Sequence, residues 1–238
     1  MSRYLVLFAR EPRREALAKG FGRPGEDLFV AFARGWLEAA RCAGARLVIA
    51  APPEDRAGWR RRVPEALEAL WMAQTGRSLG ERLEGVARRA ARLPGSAVLV
   101  GGDVAPCPRA LIESFVALEA GAECVVGPSR DGGVSLLALG APDADLLRAV
   151  GPRQRRVAER LRRCLESRGR SIAWIETTSD IDGRRSLAAF ERGLGPGATR
   201  ALVRGILRAA PPLSSPIPRI DLPLLASAAG PRAPPAAA

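Results

Sequence analysis

The 238-residue chain contains no histidine. That absence excludes Ser-His-Asp and Cys-His catalysis, histidine general bases and histidine-containing zinc sites. Cysteine is scarce, and Cys42, Cys107, Cys124 and Cys164 form no Cys-x-x-Cys pair. Neither a zinc site nor a disulfide framework is expected, and buried free thiols in a reducing compartment are the default. Aromatic residues make up 5% of the chain and are not spaced as base-stacking platforms, which argues against single-strand recognition. No apolar run approaches the ~20 residues of a membrane span. Met1-Ser2-Arg3-Tyr4 enters a strand directly, without the charged n-region and long apolar h-region of a signal peptide. A cytoplasmic protein without a membrane partner is expected.

Lysine occurs once, at Lys19; every other basic residue is arginine. The net charge is +12 and the pI near 11.2. Such a bias, beside heavy use of Ala, Gly, Leu and Pro, reads as arginine-rich codon choice rather than as a nucleic-acid footprint. A basic surface would still attract nucleotides or other anionic substrates.

With 47% hydrophobic residues the chain can build a sizeable core. Tyr4–Ala9 is a short apolar run, a first strand buried on both faces. An Arg- and Gly-rich loop is expected from Arg10 to about Gly25. Helical spacing runs from Asp27, a candidate N-cap, to Ala43, with Gly44 as the terminating residue. Further strands are expected over Arg46–Ala51, Ala69–Ala73, Ala97–Val100, Glu123–Val126, Val134–Leu139 and Ser171–Ile175. Helices are expected over Glu54–Arg62, Ser78–Leu93, Pro108 to about Gly121, Arg155–Arg168, Arg184–Arg192 and Ala198–Ala209. Ser78 with Glu81 three residues on has the form of a capping box. Apolar strands alternating with amphipathic helices indicate an α/β protein with a mostly parallel sheet covered on both faces. The expected organisation is a domain over 1–193, followed over 194–238 by a helical extension and a Pro/Ala-rich tail.

Two segments point beyond the fold. Ala97-Val-Leu-Val-Gly-Gly-Asp103 and Cys124-Val-Val-Gly-Pro-Ser-Arg-Asp131-Gly-Gly133 each read as a buried strand that stops at glycine and then presents an aspartate. Ligands of open α/β sheets collect just beyond the carboxyl ends of strands. Asp103 either suits Mg²⁺ or Mn²⁺, which take oxygen donors and share them with substrate phosphates, or is a helix N-terminal or turn aspartate ahead of Pro106 and Pro108. Gly101 and Gly102 leave room for a ligand to approach the backbone. Asp131-Gly132-Gly133 reads equally as a hairpin turn and as a loop offering amides to a substrate. Asp180-Ile-Asp182 follows the last strand, and alternate residues of an extended segment face one side. These carboxylates either join Asp103 in a metal site or cap the next helix. Arg10, Arg13, Arg14, Lys19 and Arg23 follow the first strand, where phosphate-binding loops tend to sit, though a solvated basic loop has the same composition.

Together these segments resemble the bacterial glycosyltransferase-A-fold enzymes of the arsenosugar biosynthesis glycosyltransferase type, from about Arg3 to Phe190. The matching motifs, in order, are Phe8-Ala9-Arg10, Arg77-Ser-Leu-Gly80-Glu81-Arg82, Gly101-Gly102-Asp103-Val-Ala-Pro106, Gly127-Pro128-Ser-Arg-Asp131-Gly132-Gly133 and Asp180-Ile-Asp182. The resemblance implies a Rossmann-like, three-layer nucleotide-diphospho-sugar transferase fold. It implies a metal-dependent glycosyltransferase that moves a sugar from a nucleotide-activated donor to a small-molecule acceptor. Nucleotidyl transfer, as in cofactor guanylyltransferases, and a catalytically impaired nucleotide-binding homologue are the alternatives. Asp103 and Asp131 would be catalytic, and Asp103 and Asp182 would bind Mg²⁺ or Mn²⁺. Arg10, Lys19, Gly80, Glu81, Arg82 and Gly102 would line the nucleotide and phosphate site, and Gly132 and Gly133 the acceptor side. The chain departs from the family in three places. It lacks the Thr-Arg pair after the first strand, it has Val134-Ser135 for an aromatic pair, and it has Gly151–Arg155 for a Trp-Ser-Thr segment. Phosphate grip and acceptor recognition are the properties these changes touch.

Overall fold

The computed structural model describes residues 1–151, 156–176 and 178–209. The expected tail and the departures at 152–155 lie outside the described residues. The chain runs β1 (Ser2–Phe8), α1 (Pro12–Ala18), α2 (Gly22–Cys42), β2 (Ala45–Ala51), α3 (Arg56–Arg62), β3 (Leu70–Ala73) and α4 (Leu79–Ala90). It continues with β4 (Gly95–Gly101), α5 (Pro108–Glu119), β5 (Cys124–Pro128), β6 (Val134–Ala138), α6 (Leu146–Val150) and α7 (Val157–Glu166). It closes with β7 (Ile172–Trp174), α8 (Arg184–Gly193) and α9 (Ala198–Ala209).

Among the described residues seven strands form one sheet, in the order β3-β2-β1-β4-β6-β5-β7. Every pairing is parallel except those of β6, which runs antiparallel to both β4 and β5. β1 lies centrally between β2 and β4, which is why its apolar run is unbroken: both of its faces are covered. Leu5 and Leu7 face Trp36, Ala39 and Ala40 of α2 and Leu111 and Phe115 of α5. Tyr4 and Val6 face the opposite layer, where Val86 of α4, Leu147 of α6 and Leu161 of α7 pack. A third cluster joins Phe21, Leu28 and Phe32 to Leu187 of α8 and Val203 and Ile206 of α9. Burial pushes the Cys124 thiol in β5 up to about 11, as expected of an inert core thiol.

The strands and most helices lie where periodicity places them. The segment after β1 does not. Residues 10–25 form α1 and the first turn of α2 rather than a loop. Glu11 caps α1, accepting from the Arg13 and Arg14 amides, and Pro12 occupies the first turn. Gly20 and Gly22, with φ of 74° and 60°, supply the left-handed backbone that separates the two helices. Arg14 pairs with Asp55, whose other oxygen accepts from the Glu11 amide at 2.9 Å, so α1 is pinned to the start of α3. Asp27 lies inside α2, not at its cap. At α4, Ser78 accepts from the Glu81 amide at 3.1 Å, but Glu81 reaches back to the Arg77 amide at 2.8 Å instead of closing the box on Ser78.

Gly102 has a structural reason that its sequence context hides. Its amide donates to the Phe8 carbonyl at 3.0 Å, extending the β1–β4 pairing past the strand end. A Cβ there would stand 2.3 Å from the Ala9 Cβ. The glycine is required by strand-to-strand approach, whatever ligand lies above it. Gly102→Ala is expected to lower stability by about 1–3 kcal/mol through overpacking. Denaturant unfolding reads this as a lower midpoint; an unchanged midpoint would mean the two strand ends separate at no cost.

Candidate functional site

From β1 the chain fills one side of the sheet with β2 and β3 and then returns to the other side with β4. The crevice between the carboxyl ends of β1 and β4 is therefore the topological switch point, where α/β sheets bind ligands. A cavity of about 640 Å³ opens there, bordered by Phe8–Arg10 at the end of β1 and by Gly101–Val104 at the end of β4.

Three loops converge on this cavity because the backbone zips them together. Val104 and Asp180 form an antiparallel bridge. The Ala105 amide donates to the Ser179 carbonyl at 2.9 Å, and the Ile181 amide to the Asp103 carbonyl at 2.9 Å. Trp36, wholly buried, holds the same loop from below by donating Nε1–H to the Val104 carbonyl at 2.9 Å. The extended Asp180-Ile181-Asp182 segment alternates: Ile181 is fully buried in the cluster under α2 and α8, while both aspartates border the cavity. Ser129 bridges Thr178, which brings in the turn between β5 and β6. In that turn Asp131 Oδ1 accepts from the Gly133 amide at 2.8 Å and from the Ser129 hydroxyl. The segment is thus a hairpin turn and a cavity wall at once.

Four carboxylates, Asp103, Asp131, Asp180 and Asp182, border one cavity, and Glu15 of α1 stands beside them. Burial pushes Asp180 up to about 6, with Asp131, Asp182 and Asp103 adding repulsion. Burial also raises Glu15, and Asp103 adds to it. The compensating charge is the only lysine of the chain. Lys19, at the C-terminal end of α1, places its ammonium 2.6 Å from Asp103 Oδ2, in contact with Asp182 and 3.7 Å from Glu15. Burial alone would lower its pKa, but Asp103 and Asp182 more than reverse this and hold the ammonium charged.

Lys19 therefore lies between Asp103 and Asp182, the pair expected from sequence to hold a metal, rather than on a phosphate-binding loop. The acidic oxygens that converge are those of Asp131, Asp180 and Asp182, all within 4.8 Å of one another. Arg10 borders the cavity and pairs with Glu15 at 3.7 Å. Arg82 borders it too, and its guanidinium makes no hydrogen bond or ion pair among the described residues; its Nε is buried without a partner. Gly80 and Glu81 do not border the cavity, contrary to expectation. Helical periodicity turns Leu79, Arg82 and Leu83 inward and leaves Gly80 in packing and Glu81 in the cap. Gly133 borders the cavity; Gly132, at φ 88°, instead lies beside the backbone of Arg156 and accepts from the Ala158 amide at 3.1 Å. Sequence reasoning missed Glu15 and Gln74. Glu15 stands four residues before Lys19, a spacing that puts both on one face of a helix, but that signal needs the helix to be recognised first.

The Asp180 shift has a testable sign. Its folded pKa lies above its unfolded value near 4, so its protonated form favours folding. The burden of the carboxylate is absent below pH ~4, grows toward about 6 and is complete above it. In chelator-containing buffer Asp180→Asn is expected to raise the melting temperature by about 2–4 °C at pH 8, equivalent to ~1 kcal/mol after solvent screening, and to leave it unchanged at pH 4. Equal shifts at both pH values would show that repulsion is not the cause.

Comparison with known proteins agrees with this architecture. The model of a family described as an uncharacterized protein conserved in bacteria (DUF2064) matches residues 36–151, a span that holds Asp103 and Asp131 but neither Lys19 nor Asp182. No curated protein matches significantly. A protein from Desulfovibrio desulfuricans G20 assigned to the nucleotide-diphospho-sugar transferases superposes with a TM-score of 0.70 at 21% identity, over 87% of this chain and 98% of that one. The inositol-1-phosphate CTP transferase of T. maritima superposes at 0.52 and 12% identity, over 89% and 98% of the two chains. The 4-diphosphocytidyl-2C-methyl-D-erythritol synthase of Anaerococcus prevotii DSM 20548 superposes at 0.51 and 8%, over 85% and 99%. The chain has the Rossmann-like, GT-A-type α/β fold of the nucleotide-diphospho-sugar transferases, and its central segment is similar to that bacterial family.

Proposed function

We propose that the protein is a metal-dependent glycosyltransferase that uses a nucleotide-activated sugar donor and a small-molecule acceptor. The observation that carries this reading is the division of charge around one cavity: the Arg82 guanidinium of α4, without a hydrogen bond or ion pair among the described residues, borders the same cavity as a group of convergent carboxylates.

Arg82 binds the donor's diphosphate. A planar guanidinium with no ion pair among the described residues is suited to bidentate contact with phosphate oxygens. Arg10, held only loosely by Glu15, adds a second cation. Asp131, Asp180 and Asp182 fit a hard divalent cation: they supply three carboxylates and no softer donor, as Mg²⁺ or Mn²⁺ prefers. When bound there, such an ion neutralises charge on the departing nucleoside diphosphate. Asp103 and Lys19 form the support of this group. Lys19 pairs with both Asp103 and Asp182, which limits how many of their carboxylate oxygens remain for a cation. Asp131 commits Oδ1 to its own turn, so its Oδ2 is the oxygen left to meet an acceptor or an ion. Nucleotidyl transfer would use the same residues and release pyrophosphate in place of a nucleoside diphosphate, so product identification separates the two.

Arg82→Ala is the direct test. It is expected to weaken nucleoside diphosphate binding about 10–100-fold, the range of hydrogen bonds to a charged group. The melting temperature of the ligand-free protein should change little, because the side chain has no hydrogen bond or ion pair to lose among the described residues. Titration calorimetry measures the first and thermal unfolding the second. Unaltered affinity would remove Arg82 from the phosphate site.

A further inference from the structure

Lys19 is a cation already held at the edge of the acidic group, and its carboxylate contacts are unequal. The contact with Asp103, at 2.6 Å, joins two recessed side chains, 14% and 26% exposed. The contact with Asp182 joins the same ammonium to a side chain that is 58% exposed. Glu15 stands farther off, at 3.7 Å, one turn back on α1. The backbone at Asp182 is fixed: Ile181 beside it is fully buried, and the Asp182 amide donates to the Ser186 hydroxyl at 2.9 Å. Only the carboxylate beyond that backbone can turn, and being exposed it has few packing contacts to lose.

Asp182 is also claimed from its other side. One of its oxygens lies within 4.8 Å of oxygens of Asp131 and Asp180, a group to which Asp103 does not belong. Serving both sides at once would set a divalent ion and an ammonium at opposite edges of one carboxylate, where like charges repel strongly. The Lys19–Asp103 contact does not have this conflict. A monovalent ion carries no more charge than the ammonium already present, so only a divalent ion gains by displacing it.

We infer that Lys19 is a built-in competitor for the divalent cation: uptake of the ion exchanges the Lys19–Asp182 pair for a contact between Asp182 and the ion, while Asp103 keeps the ammonium seated. This rests on the metal-dependent reading given above. It makes Asp103 a positioning residue for Lys19 in place of the metal ligand expected from sequence. The affinity of the site is then set by the exchange as well as by the three carboxylates, and ions of single charge are left out.

The test uses the full chain without substrate. Lys19 is its only lysine, so ¹³C-lysine labelling gives one Cε signal in the NMR spectrum. Titration with Mg²⁺ is expected to shift that signal along the same saturation curve that calorimetry records for ion binding, and K⁺ at equal ionic strength is expected to leave it in place. Lys19→Met should tighten Mn²⁺ binding about tenfold, and in an Asp182→Asn background the same change should gain less than about threefold. A Lys19 signal that stays in place at Mg²⁺ saturation overturns the proposal. Equal tightening with asparagine at 182 overturns it too, because that result is long-range repulsion without exchange. The NMR measurement needs no variant and decides the matter even where Lys19→Met fails to fold. Absence of Mg²⁺ and Mn²⁺ binding to the wild-type protein would sink the metal-dependent reading and this inference together, whereas binding beside a stationary Lys19 signal sinks this inference alone.

Discussion

The candidate site depends on gathering like charges, and everything around it serves to hold them. Asp103, Asp180 and Asp182 are forced together by backbone pairing between Asp103–Ala105 and Ser179–Ile181, not by any attraction among their side chains. Ile181 makes that pairing robust, because moving the segment outward would expose a fully buried side chain. The ammonium of Lys19 then offsets the repulsion at short range. Removing one partner of such a part-buried cluster costs far more than forming it gains, so α1 must be placed accurately. The Arg14–Asp55 pair and the Glu11 cap provide that placement.

This arrangement makes the carboxylates a strain that the fold tolerates in one place. Asp180, raised to about 6, is the clearest sign. Groups perturbed by burial and by neighbours of the same sign, set in a crevice, are characteristic of functional sites. Several acidic residues elsewhere are paired in ordinary ways: Asp145 with Arg168, Glu159 with Arg162 and Arg163, and Glu191 with Arg200 and Arg204. Those pairs lie on the exterior and lower the pKa of their acids, the opposite of what happens in the cavity. Many arginines thus serve surface ion pairs, while the one lysine and Arg82, unpaired among the described residues, mark the crevice.

The strand ends were legible in the sequence because glycine and aspartate follow uninterrupted apolar runs at Val98–Val100 and Val125–Val126. The alternation of Asp180-Ile181-Asp182 was legible for the same reason: extended backbone has period two. The segment from Arg10 to Gly25 was misread because its basic residues suggested a solvated loop. Glu11-Pro12 at its start is a helix N-terminus, and two left-handed glycines, not one continuous loop, account for the glycine content. Gly80 and Glu81 were assigned to the cavity as members of a motif, but a helix presents only one face, and these two residues are on the other.

Periodicity and chain-end chemistry alone determined the α/β class, the mostly parallel sheet and the carboxylates that would meet at its edge. Those properties depend on residues near in sequence. Tertiary structure alone decided that Lys19 spans Asp103 and Asp182, that Asp131, Asp180 and Asp182 converge, and that Arg82 stands in the cavity wall without a hydrogen bond or ion pair among the described residues. The first two join residues tens of positions apart, and their distances are set by strand order and by the antiparallel insertion of β6. Neither leaves a local pattern in the chain, so neither could be read before the sheet was assembled.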